Sequence, residues 1–114
     1  MSRTVPLFQS GQVTADANGV AMVAIGPKIA FETWEIRSIS VSSTSVTLIP
    51  KASHYRGQQG PSRLINGTFS GNFDTDPDFN QRLENAEELV TVWENCDAGS
   101  ICTVTVNGTK TVPF

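Results

Sequence analysis

Apolar and polar residues alternate along most of the chain, the period of a half-buried β-strand. "GQVTA" and "VAMVAI" flank "DANG", residues Asp16 to Gly19. Asn-Gly tolerates positive φ at both positions, so a hairpin is expected there. In "FETWEIRSISVSS", Trp34 and Ile36 share one parity and Ile39 and Val41 the other. Either that strand is buried on both faces, or a bulge near Arg37-Ser38 resets the phase. "SVTLIP" predicts a short strand closed by Pro50, with "SHYR" continuing beyond it. "SRLI" and "TFSG" surround a second Asn-Gly at Asn66-Gly67, a second expected hairpin. "NQRLENAEE" fits a short helix capped at Asp76-Pro77 or a strand ending near Asn85-Ala86, and the strand is preferred. "ELVTVWE", "ICTVTVN" and "TKTVPF" complete the pattern, the last two joined by Asn107-Gly108.

About eight short strands at roughly 8–12-residue spacing predict an all-β fold. The expected architecture is one antiparallel β-sandwich over residues 1–114, jelly-roll or Ig-like, with short apolar terminal arms. A chain of 114 residues buries about two-thirds of its unfolded surface, enough for one core without metal or disulfide support.

Charge narrows the functions. The net charge is −3 and the eight basic residues are scattered, which argues against a nucleic-acid partner. No run approaches the ~18 apolar residues of a membrane span. The start, "MSRTVPLFQSGQ", lacks the apolar core of a secretory signal, so the chain is expected to fold in the cytoplasm.

Cys96 and Cys102 sit at the edges of "DAGSI". In a hairpin register that sets them opposite one another, Trp93 faces Thr105 and Val92 faces Val106. Such a pair lies within disulfide range. It is expected reduced in a cytoplasm and bonded in an oxidising medium. Two thiolates and the distant His54 do not make a four-ligand zinc site.

Asp74, Asp76 and Asp78 alternate in "DTDPDF" and offer a weak calcium candidate, but the EF-hand glycine and glutamate are missing. A solvated turn is preferred. His54-Tyr55-Arg56 has no nucleophile-elbow serine beside it, and reads as a strand with an amphipathic outer face. Trp34 and Trp93 read as core. Tyr55, Phe69 and Phe73 are candidate exposed binding aromatics. No catalytic or cofactor-binding residue emerges.

Taken together, "GVAMVAIGP", "WEIRSISVSS", "YRG", "NGTFSGN" and "EELVTVWENCDAGSICTVTVNGT" resemble small structural proteins of tailed bacteriophages, chiefly those of actinobacteria. The pattern combines Gly-Pro before a Trp-centred strand, a "YRG" element, a Thr-x-x-Gly-Asn loop followed by acidic residues, and a Trp strand ahead of an Asp-x-Gly turn. It spans Gly19 to Thr109 and rests on turn and core features. The cysteines depart from it, standing where small residues are expected. The resemblance implies a non-enzymatic accessory virion protein, a capsid-surface decoration or minor capsid protein. The alternative is a minor tail protein that binds host surface or carbohydrate. No catalytic residue is carried over. The implied partners are further copies of the chain and other virion proteins, such as major capsid or tail proteins. Val5, Phe8, Val112 and Phe114, in the apolar ends, are the expected contacts.

Overall fold

The computed structural model describes residues 3–27, 31–57, 60–67, 73–84 and 87–113. Nine strands are formed among them: β1 (Arg3–Thr14), β2 (Ala21–Ile25), β3 (Thr33–Ser43), β4 (Lys51–Arg56), β5 (Leu64–Gly67), β6 (Phe73–Asp76), β7 (Gln81–Leu83), β8 (Leu89–Glu94) and β9 (Ile101–Val112). They make two antiparallel sheets. Sheet A runs β1-β9-β3-β6, with β7 also on β3; sheet B runs β2-β8-β4-β5.

The pairing is nested. The first strand pairs the last, β2 pairs β8, β3 pairs β6 and β7, and β4 pairs β5 at the centre. Successive rungs alternate between the sheets, which is the winding of a jelly roll. Of the two sandwich types expected, this is the one found.

Nesting overturns the hairpins expected at Asn18-Gly19 and Asn107-Gly108. β1 and β2 flank the Asn18-Gly19 turn but lie in opposite sheets. The turn itself forms: Gly19 donates to the Asp16 carbonyl, Asp16 donates to the Val20 carbonyl, and Gly19 takes a φ of 75°. Asn66-Gly67 ends β5 on sheet B; the run expected to pair back on it, "TFSG" at 68–71, lies outside the described residues. Asn107-Gly108 lies inside a continuous β9. The expected terminal arms are strands as well. Arg3 to Thr14 pairs Val112 to Ile101 without interruption. Leu7 and Val112 are buried, Val5 is half-buried, and Phe8 is 76% exposed. Phe114 lies outside the described residues.

The phase change in β3 is a bulge. Ile36 pairs Gly108 and Ser38 pairs Asn107, leaving Arg37 unopposed. Trp34, Ile36, Ile39 and Val41 therefore all face inward and are buried. One extra residue repairs a slip that would otherwise turn half the strand's apolar set to solvent. Inward Cys102, Val104 and Val106 of β9 and Leu89 and Trp93 of β8 meet them between the sheets. Each such side chain contributes about 1.5–3 kcal/mol by leaving water. The segment with two readings forms the strand β7, as preferred.

Candidate functional site

The turns β1–β2 and β8–β9 are bonded to one another at one end of the sandwich, and the β3–β4 loop joins them. Ala15 donates to the Ser100 carbonyl, Gly99 to the Ala15 carbonyl and Cys96 to the Gly19 carbonyl. Residues 44–50 form no strand, contrary to expectation. Asp97 supplies the reason: its carboxylate accepts from the backbone N–H groups of Val46, Thr47 and Leu48 at 2.8, 2.8 and 3.0 Å. Ser45 Oγ donates to the Leu48 carbonyl at 2.6 Å, and Asn95 Nδ2 to the Ile49 carbonyl at 3.2 Å. A carboxylate that takes three amides replaces a ladder partner. Those amides also hold the Asp97 carboxyl below its usual range. The apolar Val46, 88% exposed, and Ile49 project from this bonded loop.

Cys96 and Cys102 meet here, but not as hairpin partners. Trp93 pairs Ala21 and Ala52, not Thr105, because β8 and β9 belong to different sheets. The thiols approach across the sandwich, with Sγ atoms 3.7 Å apart, both buried and free. Burial and the neighbouring thiol push Cys96 up to about 11. The thiolate that starts disulfide exchange is therefore scarce at neutral pH. Treatment with diamide is expected to form this disulfide slowly, the two thiols giving up two protons and two electrons to the reagent. The bond is expected to add about 2 kcal/mol by closing a short loop. Thiol titration and urea denaturation before and after oxidation test this; thiols that persist in the folded oxidised sample would refute it.

His54 faces the core from β4 and is fully buried. Its Nδ1 lies 2.9 Å from Thr91 Oγ1, and its ring meets Phe79 edge-on at 5.5 Å. Nε2 is buried without a hydrogen bond. Burial lowers its pKa to about 4, against a smaller opposing pull from Asp76. The ring is therefore neutral at pH 7. Arg56 explains part of the "YRG" element. It donates to the Arg82 carbonyl, to Gln81 Oε1 and to Glu87 Oε2, tying β4 of sheet B to β7 of sheet A.

The acidic run does not assemble a cation site. Asp74 Oδ1 accepts from the Thr75 amide, while Asp76 accepts from the Asp78 amide and from Asn66 Nδ2. No three His, Cys, Asp or Glu side chains converge as metal ligands among the described residues. Nor do the two candidate aromatics among the described residues share a sheet. Tyr55 is half-buried on sheet B, and Phe73 is 82% exposed on sheet A. Phe69 lies outside the described residues.

A different group was missed by sequence reasoning. Glu32 is 3% exposed, and its Oε1 accepts from Trp34 Nε1 at 2.7 Å. Lys110 Nζ lies 3.9 Å from the same oxygen. Trp34 and Lys110 are direct cross-strand partners on β3 and β9. The spacing Glu-x-Trp was visible in the sequence, but the lysine enters only through the ladder. These three residues line a groove of about 420 Å³ between the edge strands β1 and β2.

No protein-family model matches the chain, and no curated protein matches it. No helix among the described residues is long and apolar enough to cross a membrane.

Proposed function

We propose that the chain is a non-enzymatic structural protein of a tailed-phage particle, placed on the capsid surface as a decoration or minor capsid protein. The observation that carries this reading is the free edge of β1. Three of the sandwich's edges are short: β2 and β5 have five and four residues, and the fourth-position edge of sheet A is split into β6 and β7. β1 is twelve residues long, and after Arg3 it carries no charge. Pro6 is the one edge-blocking residue in it. Long uncharged edges expose backbone donors and acceptors that invite another strand, and natural monomers break them with charges, bulges or cover.

Two surfaces agree with assembly. The outer face of sheet A carries polar rows: the hydroxyls of Ser10, Thr105, Ser40 and Thr75 align across four strands, and Gln12, Thr103 and Ser42 form a second row that ends at the exposed Phe73. The outer face of sheet B exposes Met22 and Leu64, while Val92 and Val90 on the same face are buried. Repeated display on a symmetric shell would add avidity to weak individual contacts.

Immunogold labelling of intact virions with antibody to the chain tests the placement. Label over the head is expected. Label confined to the tail favours a minor tail protein, and no label on intact or opened particles removes the virion reading. The edge has its own test. The purified chain is expected to self-associate in sedimentation experiments, and Ser10→Lys, placing a charge on β1, is expected to shift it towards monomer. A wild-type chain that stays monomeric at every concentration would take away the role of the edge in self-assembly.

A further inference from the structure

The direction of each backbone group along β1 follows from two bonds just beyond the strand ends. Ala15 donates to the Ser100 carbonyl, and this pair continues the β1–β9 register. Thr44 donates to the Ile101 carbonyl, and this pair continues the β3–β9 register. In an antiparallel ladder, residues that bond one neighbour alternate with residues that bond the other side. Both bonds give the same answer: odd-numbered residues of β1 bond β9, and even-numbered ones turn their N–H and C=O groups to the free edge. Pro6 is one of the latter, so its missing N–H takes nothing from a ladder that pairs without interruption. Beyond it, Phe8, Ser10, Gln12 and Thr14 present an unbroken row of donors and acceptors on a segment without charge.

That row fits a second copy of itself. With two β1 strands antiparallel and Gly11 on the axis, Phe8 of one copy bonds Thr14 of the other, and Ser10 bonds Gln12. Every edge donor from Phe8 to the strand end is used, and Pro6 is left outside. A shift of the register one way sets Pro6 against Thr14 and loses a bond. A shift the other way sets Phe8 against Asp16, which lies beyond the strand and already donates to the Val20 carbonyl. The side chains agree. Phe8, 76% exposed, gains a threonine opposite it, and the Ser10 hydroxyl meets the Gln12 amide on the same outer face. Gly11 faces its own copy as a non-hydrogen-bonded pair, with Cα atoms about 4.5 Å apart.

We propose that the chain forms a twofold dimer in which segments 8–14 of two copies pair antiparallel about Gly11, joining sheet A of each into one continuous sheet. The dimer rests on the reading of β1 as an assembling edge and gives that edge its partner and register. Pairing consumes the edge on both copies, so association through β1 closes at two and does not grow into a fibre.

The test uses the full chain across a range of concentrations. Sedimentation is expected to show monomer and dimer and no larger species. Amide hydrogen exchange read by NMR is expected to slow by about tenfold or more at Phe8, Ser10, Gln12 and Thr14 as the dimer forms, with Thr4 unchanged. A mixture of isotope-labelled and unlabelled chains is expected to give a filtered NOE between the Gly11 Hα protons of the two copies. Ser10→Pro removes a donor that faces away from β9, and is expected to abolish the dimer while the fold persists. Thr4→Pro, outside the paired segment, is expected to dimerise as the wild type does. If Ser10→Pro does not fold, the exchange pattern of the wild type decides. A chain that is monomeric at every concentration overturns this dimer and the assembling edge together. Self-association that leaves those amides exchanging as in the monomer, that survives Ser10→Pro, or that grows past two copies overturns this dimer alone and leaves assembly through another surface standing.

Discussion

Lowering the pH from 6.5 to 4 is expected to cost the folded chain about 3 kcal/mol through His54 alone. The ring is buried between the sheets, and its folded pKa is about 4 against an ordinary 6.5. Above pH 6.5 it is neutral in both states and adds no pH dependence. Below that, the unfolded chain takes up a proton that the folded chain refuses. Stability is therefore lost progressively until the folded pKa is reached. Asp76 reduces the effect but does not reverse it, since burial is the larger influence. Carboxylates with lowered pKa act in a different window. Glu87 and Asp97 stabilise above their ordinary values of 4.5 and 3.8 and lose that contribution only as pH falls further. Urea denaturation between pH 7 and 4.5 thus isolates the histidine. His54→Gln is expected to flatten the slope even if it lowers stability throughout. Equal slopes in wild type and variant would show that His54 is not the group responsible.

The buried position of His54 illustrates what the sequence could and could not reveal. Alternation located most strands, and the parity change in "WEIRSISVSS" pointed to the bulge at Arg37. Both tryptophans were legible as core because each sits in an apolar-alternating run. Parity, however, says which residues share a face and not which face is inside. His54 shares its side of β4 with Ala52, so the neighbouring residues gave little apolar signal. The Asn-Gly pairs misled for a related reason. They ease a turn or a close approach, but do not determine whether the next strand joins the same sheet. In this chain the partner of each outer strand lies near the opposite end of the sequence. The candidate groove was hidden by the same nesting, which carries Lys110 alongside Trp34 and brings the edges of β1 and β2 together. Likewise, "SVTLIP" looked like a strand because Asp97, which captures its amides, is about fifty residues away in sequence.

Gly108 puts this reading of the ladder under its strongest test. Gly108→Ala is expected to destabilise the chain by about 3 kcal/mol or more. The glycine pairs Ile36 at the bulge. A Cβ there would lie 2.0 Å from the Glu35 carbonyl oxygen and 2.9 Å from the Arg37 amide nitrogen. Both obstacles are backbone, so no side-chain rotation can clear them. The alternative is to push β3 away from β9, opening the centre of sheet A where Ile36 and Val106 are buried. Gly60→Ala is the control, because a Cβ at Gly60 meets nothing within 4 Å. Its expected effect is within about 0.5 kcal/mol. Urea denaturation of the two variants at pH 7, well above the His54 transition, separates them. A small loss for Gly108→Ala would mean that Asn107-Gly108 is not held against the bulge, and would restore the turn that the sequence first indicated. A large one would show that this Asn-Gly exists for the close approach of two strands, with Ser38 Oγ and Asn107 Oδ1 bonded at 2.7 Å on the outer face beside it.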